Sequence, residues 1–189
     1  MIDTESNDGP IRACRPVPAT RQDLFAILDR LGIKTRTVDH APVFTVAESE
    51  ALERDIPGGH TKNLFLKDNK GKLFLVVAES HTQVDLKAVS HRLGAGRFSF
   101  GKPDLLMEVL GVAPGSVTAF AVMNDVSRRV SVVIDARLMQ FDTVNCHPLA
   151  NAATTNIART DLFRFLSACG HEPRVMALGA EGDRSASGR

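Results

Sequence analysis

Two apolar runs, residues 62–66 and 73–78, stand on either side of Lys67-Asp68-Asn69-Lys70-Gly71-Lys72. Strand-length runs parted by so turn-rich a segment predict a β-hairpin. A hairpin disfavours a purely parallel, doubly wound sheet, and the irregular interleaving of helix and strand signals along the rest of the chain points the same way. The hairpin also sets Lys62 at the start of its first strand. A lysine entering a buried strand is costly unless its charge is used, so Lys62 is a candidate for chemistry as well as structure.

Helix signals surround the hairpin. Thr20 with Asp23 three residues on predicts an N-cap for a helix that carries Leu24, Leu28 and Leu31 on one face and stops at Gly32. Residues 35–38 read as a strand, residues 40–44 as a loop, and residues 46–52 as a short helix with Thr45 as cap and Glu48 closing a capping box. Asp85 caps a helix through Leu93, and Pro103 opens another through Leu110, with Gly94 and Gly111 ending them. Residues 117–122 and 130–134 are expected strands, 142–145 a further extended pass, and 161–168 a last helix capped by Thr160 and ended at Gly170. Polar, aperiodic residues 1–19 and 179–189 are expected to be flexible arms around a single domain over 20–178.

At 189 residues, 43% hydrophobic and 24% charged, the composition is that of a globular domain. Apolar stretches are strand-length, and the first eight residues lack a signal-peptide core, so a cytoplasmic protein without a membrane partner is expected. Cys14, Cys146 and Cys169 are an odd set without Cys-x-x-Cys spacing, which argues against a disulfide framework or a thiolate zinc site. His60, His81 and His91 show no paired ligand spacing, and no metal is expected. Neither a phosphate-binding loop nor a dinucleotide fingerprint occurs. With a net charge of +1 there is no bulk attraction for nucleic acid, so duplex DNA is not an expected partner. Any RNA contact must be local, through a basic rim of Arg92, Arg97, Lys102, Arg128 and Arg129 or not at all.

Three separated segments carry more specific information. They are Gly59-His60-Thr61-Lys62-Asn63-Leu64-Phe65-Leu66-Lys67-Asp68, then Pro114-Gly115-Ser116-Val117-Thr118-Ala119-Phe120, then Cys146-His147-Pro148-Leu149-Ala150-Asn151-Ala152-Ala153-Thr154-Thr155. In this order, over residues 20–178, the chain resembles the YbaK/ProX family of aminoacyl-tRNA deacylases, and within it the free-standing prolyl-tRNA editing proteins that hydrolyse Ala-tRNA(Pro). The resemblance implies an α+β fold, a mixed and partly barrel-like β-sheet with helices packed around it. It also implies a trans-editing ester hydrolase that needs no cofactor. Its partners would be a tRNA acceptor end carrying a small amino acid and, transiently, prolyl-tRNA synthetase or elongation factor.

Residue by residue, Lys62 matches the family's essential lysine, a cation for the ribose-phosphate region or the ester carbonyl. Gly115 and the loop Ser116, Val117 and Thr118 match the loop lining the aminoacyl site, where backbone amides can meet an oxyanion. The family loop commonly reads Gly-Ser-Val-Thr-Pro, and here Ala119 stands in place of the proline. His147 would orient a water or hold the substrate's amino group. Thr61, Asn63 and Asn124 are further substrate-binding candidates, and Phe44, Val46 and Leu52 would wall the pocket. The alternatives are a non-catalytic module that binds an aminoacyl or tRNA end, or a deacylase for Ser or Cys esters.

Overall fold

The computed structural model describes residues 17–42 and 55–179. The predicted helix at 46–52 and the wall residues Phe44, Val46 and Leu52 lie outside them, as do Cys14, residues 1–16 and residues 180–189. Within the described residues, α1 (Arg21–Arg30) and β1 (Thr35–Asp39) are followed by β2 (Gly59–Asp68) and β3 (Leu73–Glu79). Next come α2 (Leu86–Arg92), β4 (Phe98–Phe100) and α3 (Pro103–Leu110), then a 3-10 turn over Ala119–Asn124. The chain continues as β5 (Val130–Asp135), β6 (Thr143–Cys146), β7 (Ala153–Ala158), α4 (Arg159–Ala168) and β8 (Arg174–Met176). No helix among them is long and apolar enough to cross a membrane.

The strands form one mixed sheet in the order β1-β7-β6-β2-β3-β5-β8, with β4 also on β2. The predicted hairpin is its centre. Lys62 pairs with Ala78 and Lys67 with Leu73. β3, buried at every position, continues into parallel pairing with β5. Because side chains alternate across a strand, the hairpin feeds two cores. Phe65, Leu75 and Val77 join the larger, with α1, α3 and α4. Leu66, Phe74, Val76 and Ala78 join the smaller, under Val89 of α2.

The other edge of β2 is divided. Gly59 and His60 pair in parallel with Val144 and Asn145 of β6, whereas Leu66 to Asp68 pair with β4. Between them, among the described residues, no strand is registered against residues 61–65 on that edge. Phe65 accepts there from the Gly101 amide. By strand periodicity the N–H and C=O of Asn63, two residues back, face the same edge.

Local chemistry explains most boundaries. Thr20 and Asp23 form a reciprocal capping box on α1. Pro103 starts α3, and Gly111 closes it at φ 63. Two expectations are corrected. Residues 117–122 are not a strand: Thr118 is extended and accepts from the Phe120 amide, opening a 3-10 turn over a continuous apolar run whose period does not distinguish buried strand from buried helix. The last helix starts at Arg159, not at a cap on Thr160, because β7 runs straight into it and the Asp142 carbonyl takes the Arg159 amide that a cap would serve. β4, β7, β8 and a second 3-10 turn at Ala136–Gln140 were not anticipated.

The corrected turn bears on Ala119. It follows a Thr118 at φ −150 and ψ 155, which suits a residue before proline, and it occupies the first position of the turn. Its amide makes no hydrogen bond among the described residues. Ala119→Pro is therefore expected to fold and to gain about 0.4 to 1 kcal/mol through the unfolded chain. Urea unfolding checks this, and a loss of stability would show that the fully buried site has no room for the ring.

Candidate functional site

The unpaired edge of β2 gathers the candidates of the first segment. Thr61 Oγ1 donates to the Asn145 carbonyl at 2.7 Å and lies 3.7 Å from Cys146 Sγ, carrying the link between β2 and β6 past the last ladder pair. Counting that register onward brings His147 abreast of Lys62. Lys62 Nζ donates to the Ser80 carbonyl at 2.8 Å. That carbonyl belongs to a braced turn: the Ser80 amide donates to His60 O, and buried Asp135 accepts from both the Glu79 amide and the Thr82 hydroxyl. Burial works against the Glu79 carboxylate, but hydrogen bonds from the His81 side chain and amide and from Ser80 outweigh it and hold its pKa below the usual value.

Asn63 projects from the opposite face of β2 to Lys62. Its Nδ2 lies 3.5 Å from Thr61 Oγ1, a marginal contact, and its Oδ1 is buried with no partner among the described residues. Buried polar atoms are nearly always satisfied, so an unpaired acceptor beside an unpaired strand edge marks a place built for a donor from outside.

The second segment comes to the third. Gly115 has φ +85, a conformation that side chains seldom adopt, and a Cβ there would meet nothing closer than Asn151 Nδ2 at 3.8 Å. The glycine thus serves its backbone angle and leaves open space in front of it. The Ser116 amide is used within the turn, on Ala113 O, while the amides of Gly115 and Val117 bond nothing among the described residues. Val117 packs on the larger core, and Thr118 is buried as the cap. Asn124 is placed apart: its Nδ2 donates to Leu110 O and its Oδ1 accepts from the Ala19 amide, so both ends of the amide tie α3 to the start of α1.

His147 Nδ1 lies 3.2 Å from the Ala153 carbonyl. A carbonyl only accepts, so Nδ1 carries the proton in the neutral ring and Nε2 keeps its lone pair. Burial lowers the pKa of the ring below its usual value; the Ala153 contact opposes this and neighbouring His40 adds to it. The base form is thereby favoured. His40 itself is a residue that sequence reasoning took for loop: Nδ1 contacts Ala41 O at 2.8 Å, and Nε2 meets Thr154 Oγ1 at 2.9 Å. Its only sequence signal is a position two residues before Pro42, which marks turns generally. Adjacent Cys146 is no nucleophile, since burial pushes its thiol up to about 12. Among the described residues no three His, Cys, Asp or Glu side chains cluster as metal ligands would.

Residues 40–165 match the model of the aminoacyl-tRNA editing domain. The chain is 38% identical over 160 residues to prolyl-tRNA synthetase associated domain-containing protein 1 of Danio rerio, covering 84% of this chain and 87% of that one. It is 35% identical over 159 residues to the prolyl-tRNA editing protein ProX of Acetoanaerobium sticklandii, covering 84% and 97%. A solved structure of a candidate trans-editing enzyme for prolyl tRNA synthetase superposes with a TM-score of 0.64 over 85% of this chain and 96% of that one, at 18% identity, a likeness of fold. With that domain model matched over most of the chain and relatives at 38% and 35% identity along most of its length, the chain belongs to the aminoacyl-tRNA editing domain family.

Proposed function

We propose that this chain is a trans-acting editing hydrolase that removes alanine from mischarged tRNA(Pro). The observation that carries the reading is the edge of β2, which has a lysine ammonium on one face and, on the other, an amide oxygen without a partner among the described residues; the His147 segment runs on from β6 alongside, and a positive-φ glycine turn faces Asn151 of that segment. An aminoacyl ester needs a placed water, donors for the oxyanion and a grip on the amino acid, but no nucleophilic side chain. Water adds to the ester carbonyl, the carbon–ribose oxygen bond breaks, and alanine and the free ribose hydroxyl leave. The water's proton passes to His147 Nε2 and on to the departing oxygen.

Each group has a task suited to its chemistry. The amides of Gly115 and Val117 meet the oxyanion, as a positive-φ glycine turn allows. Lys62, held by the Ser80 carbonyl, presents a point charge to the ribose-phosphate end. Asn63 Oδ1 accepts from the substrate's ammonium. Thr61 holds β6, and so His147, to the edge. Selection by size follows because a synthetase site for proline rejects the smaller alanine by only about 1 to 3 kcal/mol, which leaves a need for editing.

Lys62→Ala is expected to fold as wild type and to lose nearly all deacylation, and Lys62→Arg should fail too, since a planar fork does not replace a compact ammonium. On one tRNA charged in turn with alanine, serine and proline, single-turnover rates should rank alanyl first, seryl as leakage and prolyl last. The prolyl misfit costs roughly 1 to 3 kcal/mol, or about five-fold to more than a hundred-fold in rate. Equal alanyl and prolyl rates would exclude selection by size, and a folded Lys62→Ala at full rate would exclude the assignment.

The pKa of His147 adds a pH test. Because the folded protein binds the proton less readily than the unfolded chain, this ring costs no stability above about pH 6.5 and destabilises as pH falls below that value. The acid limb of kcat/KM should lie below pH 6.5 in wild type. His147→Ala should remove that limb and slow the reaction by about 10²- to 10⁴-fold if the ring is the base.

A further inference from the structure

At the far end of the β2–β3 hairpin from Lys62, cations outnumber anions: of the carboxylates lining the two cavities there, Glu172 accepts from Ser167 and Asp85 from the Ala88 amide. A cavity of about 380 Å³ between the hairpin turn, β5 and the end of α4 has Lys72, Arg128 and Arg174 in its walls, against one exposed carboxylate, Glu172. Among the described residues the side chains of Arg128 and Arg174 make no hydrogen bond or ion pair, and Lys72 adds its field to buried Asp68, whose oxygens accept from the Lys70, Lys72 and Gly96 amides. Across Ala95, which lies on the rim of both, a second and larger cavity of about 1030 Å³ presents Lys87, His91 and Arg97. The basic rim expected from sequence is thus redrawn. Arg92 spends its guanidinium on the carbonyls of Ala88, Ala177 and Gly179, and Arg129 pairs with Glu108.

Arg128 carries the most information. It sits at φ 54, a left-handed conformation that an arginine adopts only when its surroundings impose it. Its guanidinium lies across Gly170, where a Cβ would come within 2.4 Å of Nε. Backbone strain and a bare glycine thus hold a planar fork at a cavity mouth with no carboxylate to receive it. Such a fork matches the paired oxygens of a phosphate.

We infer that this cationic face binds the phosphodiester backbone of RNA and is the second point at which the chain grips the acceptor stem whose 3′ end enters the Lys62 site. This rests on the proposed function for the identity of the RNA, but not for the existence of the face. Five ladder steps from the Lys62–Ala78 pair to the Lys67–Leu73 pair span roughly 17 Å, about five phosphate steps along one strand of a duplex. A molecule of net charge +1 has no bulk attraction for a polyanion, so cations gathered on one face make the attraction local to it.

The test compares wild type with the triple variant Lys72→Gln/Arg128→Gln/Arg174→Gln, with thermal melting to confirm that both fold. Binding to a seven-base-pair RNA duplex is followed from low to high salt. The variant should bind more weakly, and the slope of log K against log salt should become shallower by about two to three, near one for each phosphate contact removed. On full-length alanyl-tRNA its KM should rise with kcat unchanged, while an alanyl ester of a three-nucleotide 3′ end, too short to reach the face, should be hydrolysed as by wild type. Unchanged duplex affinity and slope would overturn the inference. So would wild-type binding of polyglutamate as tightly as duplex RNA, which would make the face one for acidic proteins. If wild type hydrolyses neither ester, the proposed function fails while the duplex measurement still decides this face.

Discussion

Everything at the site depends on one strand having more length than its neighbours can cover. β2 runs from Gly59 to Asp68, yet one of its edges is taken by β6 only at the start and by β4 only at the end. A half-buried strand edge that no described strand covers is costly to the extent that its amides and carbonyls lose water without gaining a partner. Here the cost is confined to a few residues around Asn63. The same residues supply a lysine on one face and an unpaired amide oxygen on the other. In the proposed function a substrate ester with its own donors and acceptors occupies this edge.

The surroundings are stiff where the chemistry needs position. Asp135 is 1% exposed and spends its carboxylate on amides and a hydroxyl rather than on a counter-charge. Breaking one of those bonds would leave a buried anion short of donors, so the turn that presents the Ser80 carbonyl has little freedom. Asn124 does comparable work between α3 and α1. A strand-end asparagine reads alike whether it serves ligand or backbone, and only the placement of Ala19 and Leu110 separates the two uses.

How much was legible in sequence varied with how local the cause was. Thr20 with Asp23, Pro103 with Gly111, and the turn-rich segment after Asp68 contain their own explanation, and the structure has the capped helices and the hairpin they imply. β7 does not: Ala-Thr-Thr-Asn-Ile-Ala carries little apolar signal, and it is a strand because Thr155 meets Thr37 and Cys146 across two neighbours. The run from Ala119 is apolar at almost every position, so only the Thr118 cap decides between strand and turn. Of the site, Lys62, Gly115 and His147 stood out through their segments. The partnerless Asn63 oxygen and the presence of His40 beside His147 arise from distant packing and have no local signature.

The order in which these pairings become available also matters. The hairpin joins residues only a few positions apart, whereas the hydroxyls of Thr37 and Thr155 that meet between β1 and β7 are 118 residues apart. Closing so long a loop is entropically expensive, and during synthesis β1 emerges long before its partner exists. For most of that time β1 and the early edge of β2 are unpaired, held by neither β7 nor β6. The half of the sheet that bears His147 therefore completes last, so a nascent chain stopped short of β7 has a formed hairpin and no assembled site.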